Sequence, residues 1–401
     1  MQICEINKCT GCMACMVSCP TKAISVGVDK KGFYVPCVDE NTCINCGKCQ
    51  KICPSNHQPE KSHNEPTVYA AWNKDEGIRK SSTSGGIFTN IASLVIRKGG
   101  SVCGVSMDND NIARHIMTEN MEDIAKLRMS KYVQSSTENI YSSVKKKLDS
   151  GGIVLFTGTP CQVGGLKKYL GKDYEQLITM DIVCHGVPSP KAFSDYLSGI
   201  EKKNKSRVVS VKFRYKKPGW TNFSMKIDFE NGRTYCQECH KDPYLAAFLS
   251  DYLTRDCCHD CQYTSVERVS DITAADFWSY VSHSKEQRNN EKGISLVLVN
   301  TEKGKKVFDE IKSDYFCYER TIDEAKRGNR CLSRPYMPAK NKDDFWNDYL
   351  QTGDFFKSVK RFCPKKKKSL KHSISEELNR NYYLLPSFLK RKVDNLVRNK
   401  K

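Results

Sequence analysis

The chain has 401 residues, is 39% hydrophobic and 28% charged, and carries a formal net charge of +19 with a mean hydropathy of −0.58. That length supports two or three domains with cores of their own. No apolar run is long enough to cross a bilayer, and no basic-then-apolar leader precedes Cys4. A cytoplasmic location is expected, in which 21 cysteines point to metal binding rather than disulfides.

Residues 1–57 hold two copies of one pattern. Cys9, Cys12, Cys15 and Cys19 are separated by two, two and three residues and followed by Pro20. The same spacing recurs at Cys43, Cys46, Cys49 and Cys53, followed by Pro54. In two-cluster bacterial ferredoxins the fourth cysteine of each run ligates the other run's 4Fe-4S cluster. The expected ligand sets are therefore Cys9, Cys12, Cys15 and Cys53, and Cys43, Cys46, Cys49 and Cys19. Zinc sites use cysteine pairs rather than a triplet plus a Cys-Pro. Cys4 and Cys37 lie outside the pattern and are expected to be small buried side chains. Ala23–Val28 and Phe33–Val38 read as strands joined by a turn at 29–32. An α+β, ferredoxin-like two-cluster module results, with a Pro-containing polar linker at 58–66.

Residues 67–345 alternate helix-like and strand-like stretches. Ser84-Gly85-Gly86 opens a helix with apolar Ile87, Ile91, Leu94 and Val95. Strands are expected at 101–106, 153–156, 178–183 and 294–299, a strand pair at 208–215 and 223–229, and helices at 162–170, 190–200 and 302–311. This pattern predicts an α/β domain with a mixed sheet.

Two constellations in this body carry chemistry. Thr157-Gly158-Thr159-Pro160-Cys161 and Cys184-His185-Gly186 each follow a predicted strand, and open α/β sheets place ligands at the carboxyl ends of strands. With Cys258 and Cys261 they supply four thiolates, enough for a third cluster. Spacing alone leaves open a set of buried cysteines, or a zinc site that uses His185 or His259. The run Ser81–Gly86 suits either close backbone approach to an anion or plain helix capping. There is no dinucleotide fingerprint beside a suitable strand and no P-loop.

These segments resemble the family of coenzyme F420 hydrogenase/dehydrogenase beta subunits, with a two-cluster ferredoxin module added in front. The likeness rests on Ser82–Gly86, Ser130–Ser135, Thr157–Gln162, Cys184–Ser189, Phe213-Arg214 with Gly219-Trp220, Cys258 with Cys261, and Asp271–Thr273 with Asp276-Phe277-Trp278. The resemblance implies FAD beside a third 4Fe-4S cluster on Cys161, Cys184, Cys258 and Cys261. It places Ser84, Gly85, Gly86, Lys131, Tyr132, Gln134, Thr157, Gly158 and Thr159 against the flavin or substrate. Ala275 and Ser279 stand where relatives carry glycine. Cys236, Cys239 and Cys257 remain rival ligands. His185 and Lys131 are the candidate catalytic groups.

The expected function is an oxidoreductase relaying electrons through clusters to or from FAD and a deazaflavin-like or other small organic substrate, with a protein such as ferredoxin as electron partner. The alternative is a larger redox complex in which this chain is a non-catalytic, ferredoxin-type electron-transfer subunit. Residues 346–401 read as a basic tail. Of these, 357–401 hold 15 Lys/Arg against 3 Asp/Glu, or +12 of the net +19. Leu389, Val393, Leu396 and Val397 share one helical face, which suits contact with the inner membrane surface. No nucleic-acid recognition fold accompanies the charge.

Overall fold

The computed structural model describes residues 1–62, 65–288, 291–363, 382–387 and 389–390. Strands β1 (Ile24–Val28) and β2 (Tyr34–Val38) pair antiparallel. Their turn is closed by Asp29, whose carboxylate accepts from the Phe33 N–H at 2.9 Å. Cys15, Cys49 and Cys53 are buried in one cluster with Ile3 and Ile24, against which Met1, Cys4, Met16, Cys19 and Val38 pack partly buried. So small an apolar core leaves such a module dependent on other staples.

The body continues with β3 (Thr67–Asn73), β4 (Ser101–Met107), β5 (Ala113–Thr118), β6 (Val154–Gly158), β7 (Leu177–Ile182), β8 (Val208–Tyr215), β9 (Ser224–Phe229), β10 (Thr234–Glu238), β11 (Ile272–Asp276), β12 (Ser295–Val299) and β13 (Tyr315–Arg320). Eight of them form one mixed sheet in the order β13-β3-β12-β11-β7-β6-β4-β5. The four strands β11, β7, β6 and β4 run parallel, and antiparallel strands flank them on both sides. Along β6, Leu155 points into the layer of helices Ile87–Arg97 and Glu302–Ile311, while Val154 and Phe156 point into the layer of helices Ile140–Asp149 and Pro160–Leu170. Period-two alternation into two apolar layers is what a sheet covered on both faces requires.

Strands β8, β9 and β10 form a separate antiparallel sheet. Helices Pro190–Asn204, Pro243–Phe248, Lys342–Thr352 and Phe355–Phe362 pack on it around an aromatic core that includes Tyr196, Tyr244, Trp346 and Tyr349. The expected tail boundary at 345/346 therefore falls inside a packed element, because Trp346, Tyr349 and Phe355 are all buried. The lysine run 365–368 and the stretch 391–401 of the expected amphipathic helix lie outside the described residues. No helix among the described residues is long and apolar enough to cross a membrane.

The N-terminal module is seated directly on the body. Thr137 donates to the Cys12 carbonyl at 2.9 Å, and Gln262 donates to the Pro54 carbonyl at 3.0 Å. The segment expected as a linker is pinned as well, with Ser62 donating to the Asn300 carbonyl at 2.6 Å. A Cβ on Gly165 would meet the Cys12 sulfur at 2.9 Å, so glycine there lets helix Pro160–Leu170 approach the first cysteine run.

Candidate redox site

Twelve of the 21 cysteines fall into three groups. Cys9, Cys12, Cys15 and Cys53 lie within electrostatic reach of one another, and Cys4 sits within hydrogen-bonding reach of Cys9 and Cys53. Cys19, Cys43, Cys46 and Cys49 line a small cavity of about 20 Å³. The grouping crosses over between the runs: Cys53 lies with Cys9, Cys12 and Cys15, and Cys19 with Cys43, Cys46 and Cys49. Cys4 is half-buried and Cys37 is exposed on β2, so the expectation of two buried side chains is corrected.

The third group joins three segments. Cys161 and Cys184 both interact with Cys258 and Cys261, and burial pushes the Cys161 and Cys184 thiols up. Gly186, at φ +134°, brings two of the segments together, since a Cβ there would meet Thr254 at 2.9 Å and the Cys258 Cβ at 3.2 Å. The buried Arg268 anchors the end of β7, just before Cys184, to the loop after Cys261. It pairs with Asp181 at 2.9 Å and donates to the Tyr263 carbonyl at 3.0 Å and the Ile182 carbonyl at 3.0 Å. Cys12 also acts on Cys161, so the first and third groups are neighbours. Among the described residues, no three His, Cys, Asp or Glu side chains converge on a point tightly enough for a single ion. His185 and His259 are engaged elsewhere: His185 with Asp251 at 2.8 Å, and His259 with Thr254 at 2.9 Å and the Tyr336 carbonyl at 2.8 Å. Of the rival cysteines, Cys236 is exposed on β10, Cys239 is buried in the smaller lobe, and Cys257 adjoins Cys258.

A cavity of about 620 Å³ opens between the two sheets. The carboxyl ends of all four parallel strands line it through Val105, Thr157-Gly158-Thr159, Val183-Cys184 and Ala275-Asp276. Its size is that of an organic ligand site, and its place is where open α/β sheets bind ligands. Ser84, Gly86, Lys131, Tyr132 and His185 line it too. Helix Ile87–Arg97 starts at its wall from Gly86, at φ +95°, without a side-chain cap. The hydroxyls of the Ser81–Gly86 run bond elsewhere, Ser84 to the Ile294 carbonyl at 2.6 Å and Ser82 to the Ile78 carbonyl at 2.7 Å.

Two expected contacts are directed away from the cavity. Gln134 accepts from the Tyr34 N–H at 2.9 Å, in the joint with the N-terminal module. Gly85 packs on the sheet, where a Cβ would meet the Ala71 carbonyl at 2.2 Å. Conversely, sequence reasoning gave no role to the aromatic and ionic wall at the cavity rim. Arg214 is buried and pairs with Asp276 at 3.1 Å, Trp220 donates to the same carboxylate, and Trp278 stacks on Trp220 at 5.0 Å. The signal was present in Phe213-Arg214, Gly219-Trp220 and Asp276–Trp278, but three separate segments have to fold together before it means anything.

Family models match in series along the chain. Two models describe the beta subunit, coenzyme F420 hydrogenase/dehydrogenase: the one for its N-terminal part matches residues 68–141, and the one for its C-terminal part matches residues 152–325. A 4Fe-4S dicluster domain matches residues 8–57. The chain belongs to the family of coenzyme F420 hydrogenase/dehydrogenase beta subunits. This family member is 22% identical over 333 residues to an F(420)H(2) dehydrogenase subunit, designated F, from Methanosarcina mazei, covering 78% of this chain and 85% of that one. It is 23% identical over 318 residues to the coenzyme F420-dependent sulfite reductase of Methanocaldococcus jannaschii, covering 76% of this chain and 46% of that protein. It thus spans under half the length of the reductase. A chain of the F420-reducing hydrogenase complex from Methanosarcina barkeri aligns with a TM-score of 0.44 at 18% identity, over 73% of this chain and 91% of that one. The dicluster match makes this family member an iron–sulfur electron-transfer protein.

Proposed function

We propose that the chain is an iron–sulfur flavoprotein oxidoreductase that holds three 4Fe-4S clusters and one FAD. It exchanges reducing equivalents between a one-electron protein carrier, such as a ferredoxin, and a small organic substrate of the deazaflavin class. Cys9, Cys12, Cys15 and Cys53 hold one cluster, Cys43, Cys46, Cys49 and Cys19 the second, and Cys161, Cys184, Cys258 and Cys261 the third. The names of the relatives supply the deazaflavin as a substrate class. One observation carries the reading, that Cys184 belongs both to the third cysteine group and to the wall of the large cavity.

When bound, the clusters supply one-electron transfer and the flavin a two-electron store able to exchange a hydride. The chain's own part is to bind and orient. The uncapped start of helix Ile87–Arg97 and the cations Arg128 and Lys131 on the cavity wall suit an anionic group such as a phosphate. Tyr132, Phe248 and Trp278 present ring surfaces to the same cavity. The Thr159 hydroxyl lies 3.1 Å from the Cys161 sulfur, close enough for an O–H···S bond that steadies the thiolate.

Anaerobic purification with iron, sulfide and flavin analysis tests the reading. About twelve irons and one FAD per chain are expected from three 4Fe-4S clusters and one flavin. About eight irons without flavin would contradict it and leave only a ferredoxin-type electron-transfer subunit.

A further inference from the structure

We propose that Arg255 is a positioning residue, the shared cation that sets the reduction potentials of the two clusters on either side of it, a role that rests on the cluster assignment above. Arg255 is 4% exposed and bonds to three cysteine-bearing segments at once. Its Nε donates to the Cys9 carbonyl at 2.8 Å and its Nη1 to the Tyr34 carbonyl at 2.8 Å. Its backbone N–H donates to the Val187 carbonyl at 3.0 Å, three residues after Cys184, and its own carbonyl accepts from the Cys258 N–H at 3.0 Å. The guanidinium also lies over the Phe33 ring, 5.4 Å from its centre. Its side-chain bonds thus go to neutral carbonyls. The acidic neighbour Asp256 is engaged instead by Lys31 at 3.0 Å and Lys342 at 2.6 Å.

A buried charge acts strongly through a low-dielectric interior, and the Arg255 charge reaches both the Cys9 and the Cys258 thiols. Reducing a cluster adds one negative charge. A nearby cation favours that state, so it raises the potential. None of the bonds just described reaches the Cys43–Cys49 loop, so the cluster assigned there serves as an internal reference.

Gln134 offers an independent handle on the same joint. Its Nε2 and the Arg255 Nη1 stand 2.5 Å and 2.9 Å from where a Cβ on Gly11 would lie, so the two side chains are neighbours. Gln134→Glu keeps the acceptor for the Tyr34 N–H and sets a negative charge beside the guanidinium.

The test is a redox titration of the full-length, anaerobically purified protein, followed by electron paramagnetic resonance, on the native chain, Arg255→Gln, Arg255→Lys and Gln134→Glu. With iron content retained, Arg255→Gln is expected to move two of the three midpoint potentials negative and leave the third in place. Gln134→Glu is expected to move at least the cluster beside Cys9 the same way, and Arg255→Lys to restore most of the shift seen with glutamine. Unmoved potentials in both Arg255→Gln and Gln134→Glu, at full iron content, would overturn the assignment. Should Arg255→Gln lose iron, Gln134→Glu decides alone. A native chain with only two clusters would overturn the underlying cluster reading instead, which iron analysis distinguishes.

Discussion

Lys131 sits half-buried on the cavity wall, its ammonium donating to the Lys126 carbonyl at 2.9 Å and the Arg128 carbonyl at 2.6 Å. Burial lowers its pKa to about 7. An anion beside it would restore the charge, so flavin retention is expected to weaken as pH rises above about 7, and Lys131→Met is expected to flatten that dependence. The substitution should also weaken flavin binding roughly tenfold, the order of one charge-assisted bond; a flavin-fluorescence titration at several pH values reads both effects. For the ligand-free fold the sign follows from proton counting. Between about 7 and the ordinary value of 10.5 the unfolded chain binds more protons at this lysine, so its contribution to stability rises with pH over that window. At the third cysteine group, Cys184→Ser is expected to lose about four irons while the ferredoxin-type signals persist; unchanged iron would argue against Cys184 as a ligand. The two ferredoxin runs were legible in the sequence because one short loop supplies three of each cluster's ligands. Arg255, Arg268 and the Arg214–Asp276 pair were not, since their partners come from segments remote in the chain.

Helix Pro160–Leu170 shows how an element positions chemistry. Thr159 and Gln162 form a reciprocal capping box, Pro160 opens the first turn, and Gly171 closes the helix at φ +69°. Gln162 also donates to the buried Ser135 hydroxyl at 2.9 Å. Gln162→Ala is expected to cost about 1 kcal/mol, the order of a lost cap, visible as a lower thermal midpoint at unchanged iron content. Gly165→Val places a side chain against Cys12 and is expected to loosen the N-terminal module; faster limited proteolysis within 58–66 would show it. The strand after 152 and this helix were legible because an apolar run is followed by a cap and a small-residue turn. Strands β5 and β10 were not predicted, since ARHIMT and TYCQE carry polar residues without clean alternation and lie at sheet edges. Strands β3, β11 and β13 were also missed: β3 and β11 owe their burial to pairing with remote strands that no local pattern announces, and β13 lies at the sheet edge with Tyr315 alone of its residues buried.

At the scale of the whole molecule, three cysteine groups and one cavity form a contiguous series, with the first group seated against the third. The body runs through Phe362, so a chain ending at Cys363 is expected to keep its iron, flavin and cooperative melting, whereas one ending at residue 345 loses Trp346, Tyr349 and Phe355 from the smaller lobe's core and should not hold flavin. The sequence suggested the earlier boundary because basic residues dominate after 357 and mask an aromatic spacing that packs inward. The full chain is expected to bind anionic vesicles more tightly than the chain ending at Cys363, since residues 364–401 hold 12 Lys/Arg against 3 Asp/Glu, or +9 of the net +19; equal binding would remove the membrane role. The central claim is that the third cysteine group connects the ferredoxin-type clusters to the flavin. Its most direct test follows the flavin absorbance of anaerobic native protein and of Cys184→Ser, each with flavin bound, after addition of a reduced ferredoxin. The account predicts prompt flavin reduction in the native chain and loss of it in the variant, whose ferredoxin-type clusters still become reduced. Flavin reduction at the same rate in both proteins would contradict it.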